Sequence, residues 1–350
     1  MNAPLCRAAA HAADELLYGI FSIEKALNPL NVSDFETIVQ KLSRALQGIT
    51  QDKEATALRH ALEALDVNWP SLSVDAQAKV IRAANQAMKA VEPRVLPSID
   101  EVFGVEAERV VGATRKSAVK RFALRISSDL SKTDLRTARF AKESQSNFVR
   151  DEFGKRREVF SETARNIVAD GLEKGLGRSD ISSALSSALE AQALGRAKPY
   201  WDMVAMVFTN RARTFTQLNA FEEAAVTKYR FDAVLDESTS EICRLMHGRT
   251  FSVEAAAKRV RQVESLKNPE DIRNLQPFAR TGIDDEGNQV LFYERNERRS
   301  AIAQVDEPGM GQRDVVGQYS RALTNSQLEA AGLTVPPLHG HCRSTIVAEV

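Results

Sequence analysis

Apolar residues recur at helical spacing through residues 1 to about 200, then give way after residue 229 to short alternating runs. A change of period from 3.6 to 2 restricts the fold more than any single residue does, because one face of a helix and one face of a strand bury different positions. Residues 31–49 are a clear helical case, with Phe35, Ile38, Val39, Leu42 and Leu46 on one face, Ser33 as the expected cap and Glu36 three positions on. Asn68-Trp69-Pro70 interrupts the pattern and Ser73-Val74-Asp75 restarts it. Pro93 and Pro97 are expected to end the following helix, and two short helices are expected over residues 171–194. A long helix is expected over residues 200–228. It carries an apolar face (Val204, Phe208, Phe215, Leu218, Ala225) and a polar stripe (Asn210, Arg213, Thr214, Gln217). Strands are expected over 230–236, 250–253, 277–281, 290–293 and 344–350, with a hairpin turn at Asp284-Asp285-Glu286-Gly287-Asn288. The expected class is mainly α, an elongated helical N-terminal region followed by a small α+β C-terminal domain. The expected division is residues 1–108 (helical), 109–200 (basic and helical) and 201–350 (α+β).

Charge adds a second constraint. The 350 residues hold 47 Lys and Arg against 47 Asp and Glu, so the chain as a whole is no polycation for coating nucleic acid. The balance is uneven along the chain. Residues 1–108 carry 10 basic and 15 acidic residues, and residues 109–158 carry 14 basic and 6 acidic. The basic stretch reads either as a solvated helix face or as a contact for DNA phosphates or an acidic protein surface, with Arg115, Lys116, Lys120 and Arg121 as the candidate contacts. No apolar run reaches the length of a membrane span, and the first 13 residues lack the apolar core of a secretory signal. Three cysteines, Cys6, Cys243 and Cys342, are too few for a disulfide framework and point to a reducing compartment.

The remaining chemistry concentrates near the C-terminus. Cys243 and His247 lie at i and i+4, and His339 and Cys342 follow Pro336-Pro337, with His341 beside them. Cys243, His247, His339 and Cys342 together offer a Cys2His2 set for one structural zinc, and the alternative is a pair of buried thiols with hydrogen-bonded imidazoles. Cys342 as a nucleophile lacks an evident orienting group, and Ser238-Thr239-Ser240 lacks the downstream Glu pair that an ADP-ribosyltransferase requires. Arg213 and Asp236 are expected to meet if the strand folds back on the long helix.

These residues also occur in a familiar order. Asn210-Arg211-Ala212-Arg213-Thr214 and Asn219-Ala220-Phe221 come first, then Val234-Leu235-Asp236, Ser240-x2-Cys243 and His247-Gly248-Arg249-Thr250-Phe251. Pro336-Pro337-Leu338-His339-Gly340-His341-Cys342-Arg343-Ser344 closes the series. It resembles the phage head morphogenesis family, the minor capsid proteins of Mu-like and related tailed phages, over roughly residues 165–350. The chain departs from the family pattern in three places. Ser238-Thr239 stands where the family has Arg-Thr, Ser344 stands where it has a final Cys, and residues 254–334 form a long insertion. The resemblance implies a non-enzymatic virion protein that acts in capsid assembly and DNA packaging or delivery and passes through the host cytoplasm during assembly. Its partners would be the portal or major capsid protein, with packaged DNA through residues 109–157 and no membrane. Asn210, Arg213, Thr214, Asp236 and Arg343 would be structural, and one zinc the only cofactor. The alternative is a zinc-dependent hydrolase or toxin-like effector that uses the same cluster with Glu241 as general base.

Overall fold

Helices begin where the sequence supplies caps and end where the backbone turns. The computed structural model describes residues 27–194 and 197–349; Cys6 and the N-terminal segment weighed above as a secretory signal lie outside the described residues. Helix α1 (Val32–Leu65) is capped by Asn31, whose side chain accepts from the Asp34 N–H, and not by Ser33. Ser33 already lies inside the first turn, and its carbonyl accepts from Thr37 Oγ1. A short 3-10 turn at Trp69–Ser71 leads to α2 (Val74–Lys89), capped by Ser73. Helix α3 (Glu92–Arg121) holds Pro93 in its first turn, where a missing N–H costs nothing, and contains Pro97 further in. The two prolines thus open a helix instead of ending one, and α3 runs unbroken through residues 108 and 109.

Helix α4 (Lys132–Glu173) begins with a capping box in which Ser131 and Asp134 satisfy each other's backbone N–H. It continues through Gly171, so the two short helices expected over 171–194 reduce to one, α5 (Arg178–Leu194). Helix α6 (Ala197–Glu223) follows. At about 1.5 Å per residue, α1 and α4 extend roughly 50 and 60 Å. Two apolar cores are strung along them. Leu58, Leu65, Trp69, Phe160 and Leu185 fill the distal core, and Phe35, Leu46, Phe103, Val149, Trp201 and Phe208 fill the central one.

The chain then changes to the expected α+β texture. Strand β1 (Lys228–Asp232), the short helix α7 (Glu241–Met246) and β2 (Thr250–Ser252) precede helices α8 (Val253–Glu264) and α9 (Pro269–Leu275). Strands β3 (Ala279–Ile283), β4 (Gln289–Arg295), β5 (Arg298–Glu307) and β6 (Gln318–Ser320) form an antiparallel sheet in that order. Helix α10 (Asn325–Ala331) and strand β7 (Thr345–Glu349) complete the chain. The second sheet has the order β2-β1-β7, so the last strand returns to pair antiparallel with the first. The hairpin turn lies where expected, with Asp284 Oδ1 accepting the N–H of Glu286 and Asn288. Strands β5 and β6 were not legible. Arg298-Arg299 and the exposed Asp306-Glu307 obscure the alternation of β5, in which only Ile302, Ala303 and Val305 are buried. The C-terminal core joins Phe215, Leu218 and Phe221 of α6 to Tyr229, Phe231, Leu291, Ile302 and Ile346. The architecture is mainly α, a long helical N-terminal region followed by a small α+β part, and α6 contributes to the central and C-terminal cores alike. Among the described residues no helix is long and apolar enough to cross a membrane.

Arg115 shows how the uneven charge is used. It is buried, donates to the Ser127 carbonyl at 3.0 and 2.8 Å, and pairs with Asp134 at 3.4 Å and Glu223 at 2.8 Å. It is therefore unavailable to DNA or to another protein, contrary to its reading as a surface contact, because a charge this deep is stable only beside its counter-ions. Lys116, Lys120 and Arg121 are exposed, and Arg121 also donates to the Leu30 carbonyl. Much of the basic stretch pairs inwardly: Arg156 with Glu54, Arg157 with Glu92, Arg136 with Glu264. Replacing Arg115 with Met strands the buried Asp134 carboxylate, and a loss of about 3–5 kcal/mol is expected in urea unfolding. A loss below about 1 kcal/mol would mean that this pair does not hold α3, α4 and α6 together.

Candidate metal centre and the C-terminal clasp

A β-strand at the edge of a sheet leaves every second carbonyl without a partner. Strand β7 pairs with β1 on one side, and its other side faces α6. The polar stripe of α6 meets it there. The Asn210 amide donates to the carbonyls of Cys342 (2.5 Å) and Ser344 (3.1 Å), and Thr214 Oγ1 donates to Asn210 Oδ1 at 3.0 Å, which fixes the orientation of that amide. Arg213 donates to the carbonyls of Arg343 and Ser344 at 3.0 and 2.6 Å, and to that of Pro29 at 3.3 Å. Gln217 donates to the Ile346 carbonyl at 2.8 Å and accepts from Thr345 Oγ1 at 2.9 Å. Three side chains, one to two helical turns apart, thus do the work of a neighbouring strand, with Thr214 holding Asn210 in place. All are buried, where an unmade hydrogen bond carries its full desolvation cost.

Arg213 does not meet Asp236, as the sequence reading expected. Its guanidinium lies 3.8 Å over the Phe35 ring, and burial pushes its pKa down to about 9. The partner of Asp236 is Arg343, whose Nη2 lies 2.5 Å from Asp236 Oδ1 and 2.7 Å from Ser238 Oγ, while its Nη1 lies 3.0 Å from Glu36 of α1. The reason is geometric. The carbonyls at the start of β7 point toward α6, and the Arg343 side chain projects away from it, toward the turn after β1. One arginine ties α1, the β1 turn and the C-terminal strand together. Its hydrogen bond, together with those from Ser238, holds the Asp236 carboxyl well below the usual carboxylate range.

Above this clasp sits the cysteine cluster. Cys243 Sγ lies 3.7 Å from Cys342 Sγ and 3.3 Å from His339 Nε2, and both cysteines are buried free thiols. The three ligand atoms fall within 4.8 Å of one another, a group compatible with a bound metal ion. Ser240 Oγ lies 2.8 Å from His339 Nε2, and the His341 N–H faces His339 Nδ1 at 3.3 Å. Burial raises the Cys342 thiol, but hydrogen bonds from Cys243 and His339 outweigh it and bring its pKa below the ordinary value. Cys243 is raised by its hydrogen bond to Cys342 and by burial. Cys342 therefore carries the thiolate character of the pair.

His247 does not join the group. Helix α7 stops at Met246, so the i, i+4 relation to Cys243 never places the two side chains on one helical face. His247 is the C-cap with extended backbone, and its Nδ1 accepts from the Ala233 N–H at 3.1 Å, 4.0 Å from Asp232. His341 lies at the exposed edge of the cluster, where partial desolvation and the neighbouring His339 lower its pKa.

Two residues that anchor the α7 turn escaped the sequence reading in this role. Glu241 is buried and accepts from the N–H groups of Gly309 and Met310 and from the Tyr319 hydroxyl. Arg244 is also buried and donates to the carbonyls of Asp236, Thr239, Gln312 and Val315. Together they pin the loop between β5 and β6 onto α7. Gly309 is required there, because a Cβ would sit 2.7 Å from the Val315 carbonyl oxygen. No local pattern marks these two, since their partners in the β5–β6 loop lie some seventy positions away. Gln217 was legible as a polar residue within the stripe.

Comparisons of the chain with protein-family models, with curated proteins and with solved structures return no match.

The Asp236–Arg343 pair sets a pH dependence. A carboxylate held below its ordinary pKa contributes stability that is complete above about pH 4 and is lost as pH falls toward the folded-state value. Arg343→Met removes the cause. Urea midpoints measured across acidic pH are expected to fall more steeply for the wild type than for the variant. Parallel profiles would mean that the carboxylate is not held by this arginine.

Proposed function

We propose that the protein is a structural minor head protein of a tailed phage or prophage. It would act in capsid assembly and DNA packaging or delivery, in contact with the portal or the inner capsid. One observation supports this reading above others: the motifs that carry the resemblance converge on one clasp. Asn210, Arg213, Thr214, Asp236, Cys243, His339, Cys342 and Arg343 come from three separate stretches of chain and are all taken up in holding β7 to α6 and to the α7 turn. Residues committed to backbone carbonyls and to one another serve a scaffold rather than a reaction. Lys116 and Lys120, exposed on α3, are the surface offered to packaged DNA or to an acidic capsid face.

Within this reading the cluster is a zinc site. A tetrahedral zinc places two thiolates about 3.8 Å apart and a thiolate and an imidazole nitrogen about 3.6 Å apart. The observed separations are 3.7 and 3.3 Å. Cys243, Cys342 and His339 would hold the ion, His339 through Nε2 with its proton on Nδ1. The alternative, a zinc-dependent hydrolase or toxin-like effector, draws on the count of three ligands, which leaves one coordination position open. It also needs a free general base, and Glu241, the carboxylate proposed for that task, is buried under three donors.

Two outcomes are expected. Metal analysis by mass spectrometry should find one zinc per chain in the full-length protein, and Cys342→Ser should lose both the zinc and several degrees of melting temperature. A metal-free wild type that takes up no zinc on dialysis, and melts with Cys342→Ser, would leave only a pair of packed thiols. For the wider role, mass spectrometry of purified particles should detect the protein at low copy number, with less of it when Lys116 and Lys120 are both changed to Glu. Its absence from particles, together with normal heads after gene deletion, would remove the assembly reading.

A further inference from the structure

A cavity of about 330 Å³ lies where the helical region meets the α+β part. One wall is α6, where Met203, Val207 and Arg211 follow one another at helical spacing. Opposite walls come from Phe148 of α4, Ile272 of α9 and Phe278. The volume is within the range of small-ligand sites, which favour seams between structural units.

Arg211 distinguishes this cavity from a packing defect. Its side chain is 8% exposed, and among the described residues no carboxylate pairs with it and no carbonyl accepts from it. Its Nε is buried without a partner, and its nearest aromatic contact is the Phe140 ring, 6.0 Å away. The other buried arginines are treated differently: Arg115 has two carboxylates, and Arg213 and Arg244 have backbone carbonyls. Burial brings the pKa of Arg211 down to about 10, which still leaves it charged at neutral pH. A buried guanidinium without a counter-ion is a strong demand for one.

The rim narrows the choice. Arg273 and Arg280 also line the cavity, but each is paired, with Glu270 at 3.3 Å and with Glu294 at 3.2 Å. One uncompensated positive charge therefore remains, in a pocket lined by apolar side chains and by the polar Ser144, Gln145, Gln276 and Glu294. A phosphate or sulfate group would bring more charge than one free guanidinium offsets, and the Glu294 carboxylate on the same lining would repel the surplus. A planar guanidinium matches the two oxygens of a carboxylate.

We propose that this cavity binds a single carboxylate carried on an apolar stem, with Arg211 as the anion partner and Phe148, Met203, Val207 and Ile272 around the stem. The source is either a free aryl or alkyl acid, or the C-terminal carboxylate of a chain ending in an apolar residue. The Gly340 backbone lines the same cavity next to His339, so an occupant would rest against the loop that carries the cluster.

The test uses the full-length protein with phenylacetate and 4-phenylbutyrate, against phenylacetamide and inorganic phosphate. A short peptide ending in Phe, with a free and with an amidated C-terminus, forms the second arm. Thermal shift and calorimetry should register the acids or the free-ended peptide and neither the amides nor phosphate. Which arm binds more tightly identifies the source. Arg211→Met should fold and melt no lower than the wild type, because it exchanges an unpaired buried charge for an apolar chain of similar length, and it should weaken binding at least about tenfold. Val207→Phe fills the cavity, keeps Arg211, and should also abolish binding, so the test survives a failure of the first variant to fold. Equal binding of acid and amide, undiminished binding by either folded variant, or no response to any acid or free-ended peptide would overturn the proposal.

Discussion

The outer edge of the last strand governs the arrangement of the C-terminal half. A strand that pairs on one side only must have its remaining carbonyls satisfied, and here the acceptors at Cys342, Ser344 and Ile346 are met by Asn210, Arg213 and Gln217. A helix has no ladder of its own to offer, because its backbone groups are already bonded within it. Only side chains of the right length at i, i+3 and i+7 can reach. That requirement accounts for buried amides and a guanidinium on a helix whose other faces carry Phe208, Phe215 and Phe221. It also fixes the register: sliding β7 by one residue would turn its carbonyls toward β1 and away from α6.

Once β7 is placed, the neighbouring features follow. Cys342 and Arg343 precede the strand, so anchoring the strand positions both. Arg343 reaches Asp236 and Glu36, and Cys342 reaches Cys243 and His339. The short helix α7 presents Cys243, and it stays in place because Glu241 and Arg244 fasten the β5–β6 loop against it. The cluster of Cys243, His339 and Cys342 is thus held in place by the hydrogen bonds of the elements around it.

The helical region shows the same economy in its charges. An acidic N-terminal segment and a basic one that follows it pack against each other through Glu54, Glu92 and their arginine partners, so the reversal of charge along the sequence is in part an internal match. Arg211 stands apart, a buried cation at the seam with no carboxylate or carbonyl partner among the described residues.

Local physics made part of this readable in advance. Helical periodicity, the Ser73 cap, the hairpin turn at Asp284–Asn288 and the polar stripe on α6 depend on neighbours within a few residues, and the sequence displays them directly. The return of the C-terminal cysteine and histidine to the Cys243 turn was legible from their chemistry. What tertiary structure alone decided was the choice among partners of equal chemical merit: Arg343 and not Arg213 for Asp236, three side chains and not four in the cysteine cluster once α7 ended before His247, and Arg115 turned inward to Asp134 and Glu223. Each of those choices depends on where a helix stops or which way a strand's carbonyls point. A one-dimensional pattern carries no such information, because it records the spacing of residues and not the direction in which packing turns them.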